Sequence, residues 1–274
     1  MQAPPALTDR PALMRFRART ERLDSAAMFL QQEAALEIKE RLNEVNRTFN
    51  SVAIVTPFPK IWQNFAENAV IVSDDEVLAL DSGAFDLVIH ALALHWANDP
   101  VGQLIQCRQA LVPDGLFLAA CFGGETLHEL RAVLSQSEIA ITGGLSPRIL
   151  PMGEIRDLGA LLQRAGFAMP VADTDMKSVS YTDMAALLQD LRGMGEVNAL
   201  AQRRKVFAPR ELFKKAAQLY AAAYGSDDNR ILATFEMIYL TGWAPDESQP
   251  KPLRPGSATA RLADALNTDE TLLP

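Results

Sequence analysis

The chain has 274 residues, of which 49% are hydrophobic and 22% charged, a balance typical of a folded globular domain that excludes a disordered chain. The formal net charge of −8 and the pI near 5.0 exclude the basic surface typical of nucleic-acid-binding proteins, so we expect no nucleic-acid partner. No apolar run approaches the roughly 20 residues that span a bilayer, so we expect no transmembrane segment, while peripheral contact with a membrane stays open.

The N-terminal half is predicted to contain a long helical segment, one buried strand, a short helix and a further apolar run. In chain order these elements are a helical stretch over Ala12–Leu42 with one break near Asp24, a buried strand over Ser51–Thr56, a short helix over Ile61–Glu67 and an apolar run over Ala69–Val72. Pro57 and Pro59 stop the first strand. The segment Met1–Arg19 is interpreted as the start of the mature chain rather than as a targeting presequence.

The middle of the chain alternates strands and helices at short spacing. The predicted elements are the strand Phe85–His90, the amphipathic helix Asp99–Leu111, the turn Pro113-Asp114-Gly115 and the buried strand Leu116–Phe122. Strands that alternate with helices at this spacing predict an α/β fold with a mostly parallel sheet and helices on both faces.

The C-terminal half keeps this rhythm more loosely. We predict helices over Glu154–Ala165, Thr182–Leu191 and Pro209–Tyr224, a weakly alternating strand over Val171–Ser180 and a strong strand over Ile231–Leu240. The predicted organisation is an N-terminal helical segment over residues 1–50, a main domain over residues 51–243 with a helical insertion at about 126–224, and a Pro-rich tail over residues 244–274.

Metal binding is not expected, because cysteine and histidine are sparse. Cys107 and Cys121 stand alone, which excludes a disulfide scaffold or a cysteine-rich zinc site and fits a reducing compartment such as the bacterial cytoplasm. The three histidines form neither an H-x-D nor an H-E-x-x-H pairing; they are His90, His95 and His128.

Four stretches of sequence carry a resemblance to known proteins. The block Phe85–Gly124, which contains the triplet Leu94-His95-Trp96, resembles the fourth strand, the following helix and the fifth strand of class I S-adenosylmethionine-dependent methyltransferases. The triplet and the Pro-Asp-Gly turn are typical of the malonyl-carrier methyltransferases of biotin synthesis. Three further stretches, at 123–131, 190–199 and 242–259, resemble the mitochondrial complex I assembly factor five family and its bacterial relatives. This likeness runs from about Arg15 to Leu266.

The resemblance implies properties that the residue patterns alone do not give. It implies a Rossmann-like methyltransferase fold and S-adenosylmethionine as the cofactor. The mitochondrial relative is regarded as hydroxylating an arginine on a quinone-module subunit of complex I, which implies a protein partner in the respiratory complex. It also implies a location in the mitochondrial matrix if the source is eukaryotic.

The cofactor loop departs from this family. There the first strand runs into a D-x-G-x-G loop, whose glycines let backbone N–H groups approach the cofactor. Here the equivalent sequence is Ala53–Pro59, AIVTPFP, and no glycine precedes Gly83. Proline removes an amide donor, and phenylalanine resists close approach. The 32 positions from Ala53 to Phe85 hold one crossover where the family has at least two, so the N-terminal half is shortened.

Four residues are candidates for a functional site. His95 and Trp96 follow the strand Phe85–His90, at the edge where open α/β sheets bind ligands, so His95 is a candidate general base; the alternative is that both pack a helix onto the sheet. Asp74, with Asp75 beside it, falls where the family places an acid near the adenine amine; the alternative is a solvated acidic turn.

A basic cluster, Arg203-Arg204-Lys205, stands out on this acidic chain. One interpretation is that it docks an acidic partner or a membrane-bound assembly intermediate. The alternative is that it is a solvated helix end.

Three functions stay open from the sequence. The first is a methyltransferase or arginine-modifying enzyme of the assembly factor five type, and the second is a non-catalytic assembly protein that has lost the cofactor. The third is a malonyl-carrier methyltransferase. Whether the crevice is still open, or is plugged by Phe58 and Trp62, separates the first two.

Overall fold

A computed structural model describes residues 6–22 and 27–250. Six strands form one sheet: β1 (Val52–Val55), β2 (Val70–Val72), β3 (Phe85–Ala91), β4 (Leu111–Phe122), β5 (Ala168–Tyr181) and β6 (Ile231–Trp243). Their order across the sheet is β2-β1-β3-β4-β6-β5. Neighbours from β2 to β4 are parallel, and β6 is inserted antiparallel between β4 and β5. The carboxyl ends of β1, β2, β3 and β4 therefore lie along the same edge.

Eight helices are found in the described part of the chain. They are α1 (Arg10–Thr20), α2 (Phe29–Glu44), α3 (Pro59–Trp62), α4 (Pro100–Ala110), α5 (His128–Thr142), α6 (Ile155–Arg164), α7 (Met184–Gly193) and α8 (Arg210–Tyr224). A single 3₁₀ turn covers Leu94–Trp96. Within residues 126–224, the strand β5 separates α5 and α6 from α7 and α8, and the division into domains stays a prediction.

Helices cover both faces of the sheet. On one face, residues such as Ile54 and Ile89 pack against α2, α5, α7 and α8. On the other face, Val55 and Val88 pack against α4 and α6. Successive side chains of a strand point to opposite faces, which explains why the four-residue strand β1 is buried throughout. The predicted α/β fold, with a mostly parallel sheet between two helical layers, is confirmed.

Local differences from the predicted elements have identifiable causes. The short helix occupies Pro59–Trp62 rather than 61–67, and its earlier start follows from the preference for proline in a first helical turn. The predicted Pro-Asp-Gly turn lies inside β4 as an irregularity, where Asp114 has a φ of 58° and the register with β3 shifts. The predicted break near Asp24 and the tail beyond residue 250 lie outside the described residues.

Within residues 6–22 and 27–250, none of the helices is both long and apolar enough to cross a bilayer.

Candidate functional site

The segment that follows β1 offers no free backbone donor at residues 57–59. Pro57 and Pro59 have no N–H group, and the Phe58 N–H donates to the Thr56 hydroxyl at 3.1 Å. The Phe58 side chain is buried and packs so closely on Gly195 that a Cβ there would lie 3.2 Å from its ring. Trp62 is fully buried, and its indole N–H donates to Gln31 Oε1 at 3.1 Å. The protein's own side chains therefore seal the place where the glycine loop of the family approaches its cofactor.

Asp74 follows β2 and is held by two arginines from α1. Arg17 Nη1 donates to both of its carboxylate oxygens, at 3.0 and 2.8 Å, and Arg10 Nη1 donates to Oδ2 at 3.1 Å. Burial opposes ionisation of Asp74, but the charges and hydrogen bonds of Arg17 and Arg10 prevail and lower its pKa. Asp75 is more exposed, and its carboxylate lies 3.8 Å from Arg10 Nη2. Asp74 is thus an anion already neutralised by the protein.

A buried amide links this acidic turn to the end of β3. Gln103 Nε2 donates to the carbonyl oxygens of Asp74 and Asp75, so its Oε1 faces the ring of His90 at 2.9 Å. His90 Nε2 therefore carries the proton, and Nδ1 has no partner among the described residues. Burial lowers the pKa of His90 to about 4, so the ring is neutral at physiological pH.

His95 and Trp96 converge on Glu196, from the loop after α7. The Trp96 indole N–H donates to Glu196 Oε2 at 2.7 Å, and His95 Nε2 lies 3.5 Å from the same oxygen. The Phe122 backbone N–H points at His95 Nδ1 at 3.4 Å, so the proton of a neutral His95 lies on Nε2, toward the carboxylate. Burial opposes ionisation of Glu196, but His95, Arg17 and Trp96 together lower its pKa. Glu196 is therefore a largely buried carboxylate in contact with an imidazole and an indole.

A cavity of about 240 Å³ opens beside this carboxylate. Its walls come from the ends of β4 and β6, from α5, from the loop before α6 and from α7 and α8. Most lining side chains are apolar or aromatic, among them Trp96, Phe122, Phe213 and Phe235, and the charged ones are Arg148, Arg192 and Glu196. Arg148 is already paired with buried Glu138 at 2.6 Å. Apolar walls with a few charged groups are the usual make-up of a binding site for part of a ligand or side chain.

Gly123-Gly124, at the end of β4, faces protein rather than open space. A Cβ on Gly123 would meet the Glu236 carboxylate, and a Cβ on Gly124 would lie 2.9 Å from Glu154 Oε1. Glu236 Oε2 accepts the Glu125 N–H at 2.9 Å and so fixes this loop. The two glycines therefore make room for two carboxylates, of which Glu236 holds the loop backbone.

The residues present do not fit S-adenosylmethionine in the manner of the family. The first loop has no free amide at residues 57–59, Asp74 is paired with Arg10 and Arg17, and Phe58 is packed on Gly195. Within the described ranges, no group of three or more Asp, Glu, His and Cys side chains is placed to hold a metal ion.

The structure places His95 and Trp96 at Glu196, whereas Asp74 and Asp75 pair with arginines of α1 and make no hydrogen bond or ion pair with His95 or Trp96. Sequence reasoning missed the two residues that organise these groups, Arg17 and Glu196. Glu196 lies inside one of the stretches that carried the resemblance, at 190–199, so that stretch was the available signal. Arg17 had no signal beyond being one of several arginines near the N-terminus.

The sheet is parallel from β2 to β4, continues with an antiparallel strand and carries helices on both faces. Polar side chains lie at its carboxyl edge. This architecture is that of a Rossmann-like α/β protein of the class I methyltransferase type. A model of the family described as "Methyltransferase domain" matches residues 32–119. A Rickettsia prowazekii (strain Madrid E) protein, provisionally named a methyltransferase, is 31% identical over 172 residues, which cover 63% of this chain and 76% of that protein. The chain therefore belongs to the class I methyltransferase family, a family whose domain supports S-adenosylmethionine binding in general.

Two further relatives narrow the position within this family. The zebrafish (Danio rerio) protein named "Arginine-hydroxylase NDUFAF5, mitochondrial" is 43% identical over 194 residues, which cover 71% of this chain and 60% of that protein. A malonyl-[acyl-carrier protein] O-methyltransferase of Xylella fastidiosa is more distant, at 34% identity over 65% of this chain and 58% of that protein. The chain thus spans about 60% of the length of these relatives.

Among solved structures, the YcgJ protein of Bacillus subtilis aligns over 78% of this chain and 99% of its own, with 13% identity and a TM-score of 0.49.

Proposed function

We propose that this chain acts in the assembly of respiratory complex I by holding an arginine-bearing segment of a subunit in the cavity beside Glu196. The observation that carries the proposal is a largely buried carboxylate, with a lowered pKa, at the wall of a mostly apolar and aromatic cavity. A guanidinium group stacks on aromatic rings and pairs with a carboxylate, so such a wall suits an arginine side chain. The likeness to NDUFAF5, whose name makes it an arginine hydroxylase, supports the same class of ligand.

The sealed cofactor crevice favours binding without methyl transfer. Methyl transfer to a malonyl carrier would need S-adenosylmethionine close to the acceptor, and the segment after β1 has lost its cradle. Hydroxylation would need an oxidant and a source of electrons, so we assign no chemical step to His95 or Trp96. Their contacts with Glu196 support the role of positioning residues that keep its carboxylate aimed and ionised.

Glu196→Gln is expected to weaken binding of arginine peptides roughly 10- to 150-fold, because a hydrogen bond to a charged group is worth roughly 1.5–3 kcal/mol. The probes are arginine-centred peptides and the same peptides with citrulline, a neutral side chain of similar shape, measured by fluorescence anisotropy. The wild type should prefer arginine, and the variant should lose this preference. The amide retains an acceptor for the Trp96 indole, so the fold should be kept. Equal affinity of the wild type for both peptides would refute the proposal.

The matched control is Glu125→Gln, which neutralises a largely exposed carboxylate outside the cavity wall. In a bacterial strain that lacks the gene, the wild type and this control should restore NADH:quinone oxidoreductase activity of the membranes, and Glu196→Gln should not. Restoration of this activity by Glu196→Gln would mean that the assembly role does not depend on the cavity.

Calorimetric titration with S-adenosylmethionine or S-adenosylhomocysteine is expected to give no heat at millimolar ligand, because residues 57–59 have no free amide and Asp74 is already paired. A micromolar dissociation constant, which corresponds to a binding free energy of about −8 kcal/mol, would contradict the cofactor-free proposal. Another set of cofactor-binding groups would then have to lie on this edge of the sheet.

A further inference from the structure

The strongest charge asymmetry of the molecule lies between α7 and the first turns of α8. Residues 203–215, the basic segment, contain six basic side chains and one acidic one; in order they are Arg203, Arg204, Lys205, Arg210, Glu211, Lys214 and Lys215. The basic segment therefore carries a formal charge of +5, and the rest of the chain carries −13. An anionic surface would repel most of this protein and attract the basic segment.

Two apolar side chains project from the middle of the basic segment. Four consecutive residues, Arg204 to Phe207, are exposed, and the Phe207 side chain is fully exposed at 102%. Exposing a whole phenylalanine to water is unfavourable unless a partner covers it. Two basic residues precede Val206 and Phe207 directly, and Arg210 follows after Pro209.

Most of these charges are not committed within the described protein. Arg203 pairs with Asp9 at 2.8 Å, and Lys214 pairs with Glu211 on the surface of α8. Arg204, Lys205, Arg210 and Lys215 make no ion pair with the described residues, so their charge is available to an external anion.

We infer that the basic segment docks the protein on an anionic lipid bilayer, with Phe207 entering the interface and the basic side chains contacting headgroups. A bilayer interface accepts a single projecting aromatic ring without a shaped pocket, and each basic residue near an anionic surface adds to the attraction. A protein partner of standard interface size takes roughly 20–30 residues per side, more than this 13-residue segment supplies. The match of an exposed aromatic ring with basic flanks therefore favours the lipid surface over an acidic protein.

The position of Phe213 connects this surface to the cavity. Phe213 lies within the basic segment and also lines the cavity beside Glu196. Docking through the basic segment would bring the mouth of the cavity close to the membrane, where a membrane-bound assembly intermediate is presented.

The test is co-sedimentation with two kinds of vesicle, one of pure phosphatidylcholine and one that also contains about 30% phosphatidylglycerol, an anionic lipid that supplies surface charge. The wild type should sediment only with the anionic vesicles, and less so as salt is raised. Arg204→Ala/Lys205→Ala should lower the partition coefficient roughly 25-fold, at about fivefold per basic residue. Phe207→Ser should lower it about tenfold, and because this side chain is fully exposed the fold should not change.

The matched control is Lys39→Ala/Lys60→Ala, which removes two exposed basic residues elsewhere on the molecule. It should leave vesicle binding unchanged. An absence of binding to anionic vesicles, or an equal loss in the control, would overturn the inference. Binding to soluble polyglutamate through Arg204 and Lys205, without binding to vesicles, would overturn it in favour of an acidic protein partner. Either failure leaves the arginine-peptide result beside Glu196 unaffected, since that assay contains no lipid.

Discussion

Asp74→Ala is expected to lower the free energy of unfolding by about 3–5 kcal/mol, because it leaves buried positive charge without its counter-ion. Arg17 is almost fully buried, and its Nη1 donates to both carboxylate oxygens of Asp74. Arg17 Nε and Nη2 have no hydrogen-bond partner among the described residues, so the hydrogen bonds lost with Asp74 are not replaced by existing ones. Urea denaturation at neutral pH, followed by circular dichroism, measures the change.

Asp75→Ala is the control, since its more exposed carboxylate lies 3.8 Å from Arg10 and accepts no short hydrogen bond from it. This variant should change the stability by less than about 0.5 kcal/mol. Similar effects of the two substitutions would mean that the Arg17–Asp74 pair does not hold α1 on the sheet edge.

The Arg17–Asp74 pair is one of the features that do not fit S-adenosylmethionine in the manner of the family. In the family that the sequence resembles, an acid at this position lies near the adenine amine of the cofactor. Here Asp74 instead faces the guanidinium group of Arg17 from α1. Thr20 Oγ1 donates to the Arg192 carbonyl at 2.9 Å, and the Asp9 N–H donates to the Ala199 carbonyl at 2.7 Å, so α1 is fastened at both ends. Helix α1 therefore neutralises Asp74, and the prolines at 57 and 59 remove backbone N–H donors. Both features leave fewer groups to contact the cofactor.

The loss of the glycine loop could be predicted from the sequence because it depends on local chemistry. Two prolines within three residues remove two donors whatever the fold is, and phenylalanine cannot replace glycine where a backbone must be approached. The structure adds what local chemistry could not give, namely that the remaining Phe58 N–H is taken by Thr56 and that its ring lies against Gly195.

The sheet was also accessible to sequence reasoning, since five of the six strands overlap apolar runs that had been identified and β5 overlaps the weakly alternating stretch Val171–Ser180. The single crossover expected between Ala53 and Phe85 was wrong, because β2 lies between β1 and β3 in the chain and pairs in parallel with β1. Helix α5 was not identified as a separate element, because its start carries no capping signal. The residue before it, Leu127, adopts a left-handed conformation with φ of 56° and makes no side-chain cap. The helix is instead fixed by packing: Leu130 and Val133 are buried in the core on the face shared with α8.

The groups that define the candidate site were the least predictable. Glu196 meets Trp96 across a separation of 100 residues, and Arg17 meets Asp74 across 57. Such pairs depend on how helices pack on the sheet, which no local pattern encodes. A single sequence predicted where the edge of the sheet lies and that His95 and Trp96 sit on it, but not which charges are delivered there from α1 and from the loop after α7.

Acidification from pH 6.5 to pH 4 is expected to cost the wild type about 3 kcal/mol of stability through His90 alone. Burial lowers the pKa of His90 to about 4 in the folded protein, against about 6.5 in the unfolded chain. Between these values the unfolded chain binds a proton that the folded protein does not, so stability falls as the pH falls through this window and levels off below it. Asp74 and Glu196, whose pKa values are lowered, lose their contribution only at more acidic pH, below the pKa of an unfolded carboxyl at about 4.

His90→Gln isolates this contribution, because glutamine keeps an N–H donor for Gln103 Oε1 and does not titrate. Urea denaturation at half-unit steps from pH 7 to pH 4 should give a slope that is flatter for His90→Gln than for the wild type. His128→Gln, which replaces a half-exposed histidine on α5, should retain the wild-type slope. Parallel pH profiles for the wild type and His90→Gln would mean that the ring of His90 is reached by water or by a proton donor before the protein unfolds. The buried link from Asp74 through Gln103 to the end of β3 would then open under native conditions.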